Sequence, residues 1–139
     1  MSQCFSVHGI DVWDVATTVA QLFYQTAGAM VVVTGRPHGI RDLERDEYDV
    51  DLPTYQEFVG ELTRRYLEGR HRVLVPLIEG FLPTALALLR KAGGDVPLLA
   101  ETAARDPKKA RDLRDGRSDI TQAKRLLALA DGLATSISA

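Results

Sequence analysis

The sequence has few of the residues that stabilise small secreted or metal-dependent domains. One of its 139 residues is a cysteine, Cys4, and only 6% are aromatic. A single cysteine excludes an intramolecular disulfide and a zinc site built from several cysteines, and it favours a reducing, cytoplasmic setting. A chain of this length buries about two thirds of its unfolded surface. We therefore expect one domain over residues 1–139 without disulfide or structural metal.

An excess of charge of one sign is also absent. The sequence has 17 Lys and Arg residues and 19 Asp and Glu residues, which gives a formal net charge of −2. This balance argues against nucleic acid and anionic membrane as partners. The basic residues between Lys108 and Arg125 are interleaved with aspartates, and no aromatic residue follows Phe81 to stack on a base. The charge-free stretch 15–34 contains Thr, Gln and Gly with a one-sided apolar pattern, so we expect no membrane span.

Motifs that bind cofactors or perform catalysis are missing. The sequence contains no phosphate-binding loop, no G-x-G-x-x-G, no G-x-S-x-G and no H-E-x-x-H. We therefore expect no cofactor, and no catalytic signature points to an enzyme class.

What is present is mainly helical patterning. The first residues predict a short hairpin that turns at His8-Gly9. Apolar residues three and four apart predict a helix over 13–32, with Asp11 as its N-cap and Gly35 as its stop. Residues 34–53 have no helical or strand period and predict a long polar loop.

Two further helices are predicted directly after this loop. Thr54 and Glu57 have the spacing of a capping box and predict a second helix that ends near Gly69. Residues 70–92 are apolar nearly all round and predict a central buried helix, which Pro76 and Pro83 either kink or divide.

The remaining residues resemble surface helices. Asp106-Pro107 predicts a helix start, Gly116 its stop, and Ser118 the cap of a last helix. The fold class is therefore mainly α, a small bundle of four to six helices around the central apolar helix, with a short N-terminal β-hairpin as an option. Residues 1–94 form the core with its loop, and residues 95–139 a C-terminal helical extension.

Short motifs within residues 1–94 resemble a family of small uncharacterised actinobacterial proteins, a domain of unknown function. They include Met1-Ser2-Gln3, Trp13, Leu22-Phe23, Gly39-Ile40, Asp46-Glu47-Tyr48 and Glu79-Gly80-Phe81. The resemblance implies no activity.

Two charged clusters are candidate contact surfaces. Acidic residues crowd the predicted loop, and they suit either a hard cation or a basic partner. The spacing lacks the glycine and the closing glutamate of an EF-hand, so we predict no metal site. The candidate partner-binding residues are the acidic Asp46, Glu47, Asp49 and Asp51 and the basic pair Arg64 and Arg65 at the end of the second helix.

Glu79 and His71 are the candidate acid-base groups. Glu79 is the sole charged residue between Arg72 and Arg90. It is either a rim residue or a desolvated carboxylate, and a buried Glu79 would need a tyrosine or arginine partner. His71 lies among arginines that would favour its neutral form. An apolar pocket beside them would be lined by Trp13, Phe23, Tyr24, Tyr66 and Phe81.

Two functions remain open on this evidence. The first is a non-catalytic binding module, homodimeric or an accessory of a partner protein such as an immunity or regulatory subunit. The second is a cofactor-free isomerase, cyclase or hydrolase acting on a small apolar metabolite, as in secondary metabolism, with Glu79 or His71 as the acid-base group.

Overall fold

The described part of the chain folds into five α-helices and two small β-sheets, one of four strands and one of two. The computed structural model describes residues 1–114 and 117–137. Its helices are α1 (Thr17–Thr34), α2 (Leu52–Glu68), α3 (Leu74–Lys91), α4 (Pro97–Ala103) and α5 (Asp119–Ile137). Its strands are β1 (Ser2–Val7), β2 (Ile10–Ala16), β3 (Ile40–Asp42), β4 (Glu47–Val50), β5 (Asp112–Arg114) and β6 (Arg117–Ser118). The helix number agrees with the prediction, but the class is α+β rather than a helical bundle.

The four-stranded sheet has the order β2-β1-β4-β3, with β1 and β4 parallel and both outer pairs antiparallel. β5 and β6 form a separate antiparallel pair. The predicted N-terminal hairpin is confirmed, and it turns at His8-Gly9. The predicted loop 34–53 is wrong, because it contains β3 and β4. Tyr48 and Val50 alternate with acidic residues on β4 and are each 3% exposed. These strands are too short, at three and four residues, to give a clear period.

Two predicted helix starts are also corrected. α1 begins at Thr17 rather than residue 13, because backbone pairing with β1 keeps the chain extended as far as Ala16. α2 begins at Leu52 with Asp51 as N-cap, and Pro53 in the first turn favours that earlier start over the Thr54–Glu57 box. The predicted stop at Gly35 is confirmed by its left-handed backbone, with φ of 66°.

The central apolar helix is confirmed as α3. It runs as one helix with Pro76 in its first turn and Pro83 in its interior, so the prolines do not divide it. Ile78, Leu82 and Leu89 are each fully buried. None of the helices in the described parts of the chain is long and apolar enough to cross a membrane.

The segment after Gly94 packs into the same core, with α5 against α3 and α4 against α5 and α2. Leu99 of α4 and Leu126 of α5 are 1% and 0% exposed and belong to the same core cluster as α3. Residues 95–137 therefore supply part of the core that residues 1–94 build.

The predicted helix from Asp106 is wrong, since a single 3-10 turn (Pro107–Lys109) leads into β5. Its predicted stop, Gly116, lies outside the described residues. The Ser118 cap is confirmed, because its Oγ accepts the Thr121 N–H at 3.1 Å.

Candidate functional site

An apolar groove lies between α1, α3 and β2. Its cavity volume is about 190 Å³, and it is lined by Trp13, Val19, Leu22, Phe23, Thr26, Gly80, Phe81 and Thr84. The aromatic rings at its floor are packed together, since Phe23 lies at 5.0 Å from Phe81 and 5.4 Å from Trp13 between ring centroids. The groove continues into a second hollow of about 280 Å³ between Trp13, Val19 and the C-terminal turns of α5.

The rim of this groove is exposed and apolar. Val19 and Leu22 on α1 are 45% and 66% exposed, and Leu77 on α3 is 61% exposed. Leu77 shares a helix row with Gly80 and Thr84, because positions three and seven apart face the same side. The apolar spacing that predicts the first helix includes Val19 and Leu22, and the predicted central buried helix includes Leu77. α1 buries Ala20, Phe23, Ala27 and Met30 instead, so its apolar residues occupy two faces.

The five predicted pocket residues do not line one cavity. Trp13, Phe23 and Phe81 meet in the groove. Tyr24 faces the sheet, where its ring lies 5.1 Å from Tyr48. Tyr66 is fully buried between α3 and α5, where its hydroxyl contacts other partners.

Glu79 is part of an ion pair between α3 and α5. Its Oε1 accepts a hydrogen bond from Arg125 Nε at 2.5 Å and one from the Tyr66 hydroxyl at 3.1 Å. The bond and charge of Glu79 raise the pKa of Arg125 above its usual value. Glu79 is therefore a partly buried carboxylate that has both kinds of partner expected from the sequence, a tyrosine and an arginine. Glu79 is not among the residues that line the apolar groove.

His71 occupies a capping position. Its side chain is exposed, and its Nδ1 accepts the backbone N–H groups of Val73 and Leu74 at 3.2 and 3.1 Å. These donors are the N–H groups of the N-cap residue and of the first residue of α3, which have no intrahelical partners. The imidazole therefore has a structural role that its sequence position explains, and it shares no partner with Glu79.

The basic pair on α2 is engaged within its own helix. Arg64 contacts Glu61 and Glu68, each at 2.6 Å, and Arg65 lies 3.3 Å from Glu61. The hydrogen bond from Arg64 lowers the pKa of Glu61 to about 2, against the opposing effect of burial. These contacts offset much of the positive charge that Arg64 and Arg65 would offer to a partner.

The predicted acidic cluster lies in the β3–β4 turn (Asp46), on β4 (Glu47 and Asp49) and at the N-cap of α2 (Asp51). Asp49 lies 3.5 Å from Arg41, Asp46 accepts a hydrogen bond from the Gln3 amide at 3.3 Å, and the Asp51 carboxylate accepts one from the Thr54 hydroxyl. Glu47 is exposed on β4. A polar hollow of about 400 Å³ separates the hairpin from α1, lined by Gln3, Gln21, Tyr24, Gln25, Asp42, Glu44, Asp46 and Tyr48. No group of three or more metal-ligating side chains able to hold an ion occurs among residues 1–114 and 117–137.

Gln122 is a partner of Tyr66 that the sequence did not reveal. It is fully buried on α5, and its Oε1 lies 2.7 Å from the Tyr66 hydroxyl, whose single proton is shared between this oxygen and Glu79 Oε1. Its Nε2 has no hydrogen-bond partner among the described residues. A lone glutamine in an amphipathic helix carries no signal of burial. Tyr66, Gln122 and Glu79 thus form a buried polar connection between α2, α3 and α5, whose strength can be measured.

We expect Tyr66→Phe to lower the free energy of unfolding by about 2 kcal/mol, because it leaves the buried Gln122 amide without its partner. In a Gln122→Leu background the same change should cost at least about 1 kcal/mol less, since the fully buried amide is then absent and only the partly exposed Glu79 loses the Tyr66 hydroxyl. Urea unfolding of the four proteins measures this coupling. Tyr55→Phe is the matched control, because the Tyr55 hydroxyl donates to the Ala85 carbonyl at 2.8 Å and should not couple to Gln122. Additive losses at Tyr66 and Gln122 would contradict the connection.

Comparison with known proteins gives a family and nothing beyond it. No curated protein and no solved structure matches the chain. One family model matches residues 1–138, which extends past the residues 1–94 that carried the resemblance. The C-terminal helices are therefore part of the family's common sequence. The chain belongs to a family of unknown function, DUF6086.

Proposed function

We propose that this protein is a non-catalytic interaction module, homodimeric or an accessory to a partner protein, and that it binds through the groove between α1 and α3. One observation supports this most strongly: the exposed Val19 and Leu22 line a groove whose floor is aromatic, and the exposed Leu77 lies on the same helix row as Gly80 at its edge. Contiguous exposed apolar surface is costly in a monomer and marks interaction sites. Concave sites with a buried aromatic floor suit an apolar anchor from a partner.

The positions of the candidate acid-base residues favour binding over catalysis. Glu79 is hydrogen-bonded to Arg125 and Tyr66, and His71 caps α3. The polar side chains of the groove and its continuation are Thr26, Thr84 and Ser136. Hydroxyl groups of this kind can orient a bound group, but an acid-base reaction needs a group that exchanges protons near neutral pH.

The second candidate is the cofactor-free enzyme acting on a small apolar metabolite. It draws support from the size of the two hollows, about 190 and 280 Å³, which share Trp13, Val19 and Thr84. Its substrate would sit against Trp13, away from the Glu79 ion pair. The lone cysteine supports a cytoplasmic location for either function. We also propose an actinobacterial source, on the motifs described above.

A site-specific photo-crosslinker at position 22 tests the interaction module in a lysate of the source organism. We expect a protein adduct at position 22 and none at position 10, because Ile10 is equally apolar and 69% exposed but lies at the hairpin tip. An adduct of a few hundred daltons would instead support the metabolite-binding enzyme. Equal labelling at both positions would refute a docking role for the groove.

A further inference from the structure

The lining of the groove and the whole of α1 lack charge. We use the name α1–α3 patch for Val19, Leu22, Leu77 and the groove between them. No Asp, Glu, Lys or Arg occurs from Val15 to Gly35, so all of α1 is uncharged, including its exposed Gln21, Gln25 and Ala29. The lining of the groove and of its continuation along α5 is uncharged as well.

An uncharged apolar patch constrains its partner. A charged side chain pressed against it would lose hydration without gaining an opposite charge. The matching surface must therefore also be apolar and uncharged. In a two-fold dimer each patch meets its own copy, and a patch without charge avoids like-charge repulsion across the axis. The charge distribution thus fits a second copy of this chain better than a basic or acidic partner.

The α1–α3 patch also has both a protruding and a receiving part. Leu22 is 66% exposed beside the groove. The groove volume of about 190 Å³ exceeds the roughly 150 Å³ that suffices for a benzene ring. Two copies related by a two-fold axis can therefore each place Leu22 against the other's Trp13–Phe81 floor. A patch that supplies its own complement needs no second protein.

The available area is sufficient for a weak dimer. α1 is about 27 Å long, but α3 adds only its first half, because it is buried from Phe81 to Leu89 apart from Thr84. The contact would bury on the order of 800 Å² in total, in the range of weak, transient interfaces. Association of this size is concentration-dependent, with a dissociation constant on the order of micromolar to tens of micromolar.

We propose that the α1–α3 patch binds a second copy of this chain, antiparallel across a two-fold axis, with Leu22 of each copy in the groove of the other. This inference rests on the proposed interaction module and names its partner. It also gives Trp13, the sole tryptophan, a place at the centre of the interface.

Sedimentation equilibrium of the purified chain from about 1 to 500 μM tests the proposal. The expected mass rises from 15.3 kDa toward twice that value. Leu22→Glu should weaken association by about 30-fold or more, because it removes a central apolar anchor and buries a charge. Ile10→Glu, the matched control, should associate like the wild type. Circular dichroism establishes that each variant is folded, and Leu77→Glu replaces Leu22→Glu if the latter is not.

Three outcomes overturn the second copy as partner. The wild type could keep a mass of 15.3 kDa at every concentration, Leu22→Glu could associate as strongly as the wild type, or Ile10→Glu could be as impaired as Leu22→Glu. A monomeric chain that still gives a foreign protein adduct at position 22 refutes the homodimer and leaves the interaction module standing. A monomeric chain with no adduct at that position refutes both.

Discussion

Replacing Phe5 with alanine should lower the free energy of unfolding by about 4 kcal/mol, the largest loss that we expect from a single substitution here. The Phe5 ring is fully buried on β1. Its centroid lies 4.6 Å from that of Tyr48, 5.2 Å from Trp13 and 5.5 Å from Phe23. One ring therefore joins three strands to α1, and its removal leaves a cavity that all four elements border.

Urea unfolding followed by circular dichroism measures this loss. A fall in the melting temperature on the order of 15 °C should accompany it. Ile10→Ala is the control on the neighbouring strand. Its side chain is 69% exposed, so we expect a change below about 0.5 kcal/mol. A loss under about 1 kcal/mol for Phe5→Ala would mean that the sheet does not depend on this ring.

Asp119→Ala should cost about 3 kcal/mol, the second largest effect. The Asp119 side chain is 5% exposed, and its Oδ2 accepts from Arg105 Nη1 at 2.7 Å. Its Oδ1 accepts the backbone N–H groups of Arg111 and Ile120 at 3.0 and 2.9 Å. The carboxylate thus attaches the segment after α4 to the start of α5. Arg105 is 30% exposed and regains some hydration, which limits the loss.

Asp131, which lies on α5 like Asp119 but forms an exposed ion pair with Arg90 of α3, provides the control. Asp131 lies 2.6 Å from Arg90, but its side chain is 71% exposed. We expect Asp131→Ala to change stability by less than about 1 kcal/mol, because water and salt screen such pairs. Equal losses at Asp119 and Asp131 in urea unfolding would show that burial does not distinguish the two carboxylates.

The effect of Asp119 should also depend on pH. Burial alone would raise the pKa of its carboxyl group, but the Arg111 and Ile120 N–H groups and the charge on Arg105 outweigh burial and lower that pKa. The unfolded chain then binds the proton more tightly, so this contribution is present above the unfolded pKa of about 3.8 and is lost as pH falls through the folded value. The stability difference between wild type and Asp119→Ala should shrink below about pH 4. A difference that is unchanged between pH 7 and pH 3 would refute this.

How far the sequence could predict the site differs from residue to residue. Glu79 was identified as an isolated carboxylate on an apolar helix, and the need for a tyrosine or arginine partner followed from the cost of burying charge. That the partners are Tyr66 and Arg125, 13 and 46 residues away, depends on how α2 and α5 pack on α3. The acidic cluster was visible as composition, whereas its place on a strand pair was not.

The apolar groove shows why helix patterning alone was insufficient. Val19 and Leu22 satisfy the same three-and-four spacing as Phe23 and Ala27, so the pattern assigns all four to one buried face. The structure buries Phe23 and Ala27 and leaves Val19 and Leu22 exposed. Which apolar row faces inward depends on the rotation of α1 about its axis, and contacts with Phe5 and Phe81 set that rotation.

The sequence by itself determined the local features: the N-terminal hairpin, the stop of α1 at Gly35, the central apolar helix and the Ser118 cap. Each depends on residues within one or two turns of each other, where backbone preference and apolar spacing act directly. Tertiary structure alone decided that β4 pairs in parallel with β1, that residues 95–137 join the core, and that Leu22 lies beside an open groove. These features depend on contacts between residues far apart in the chain, whose free energy exists only once the elements have packed together.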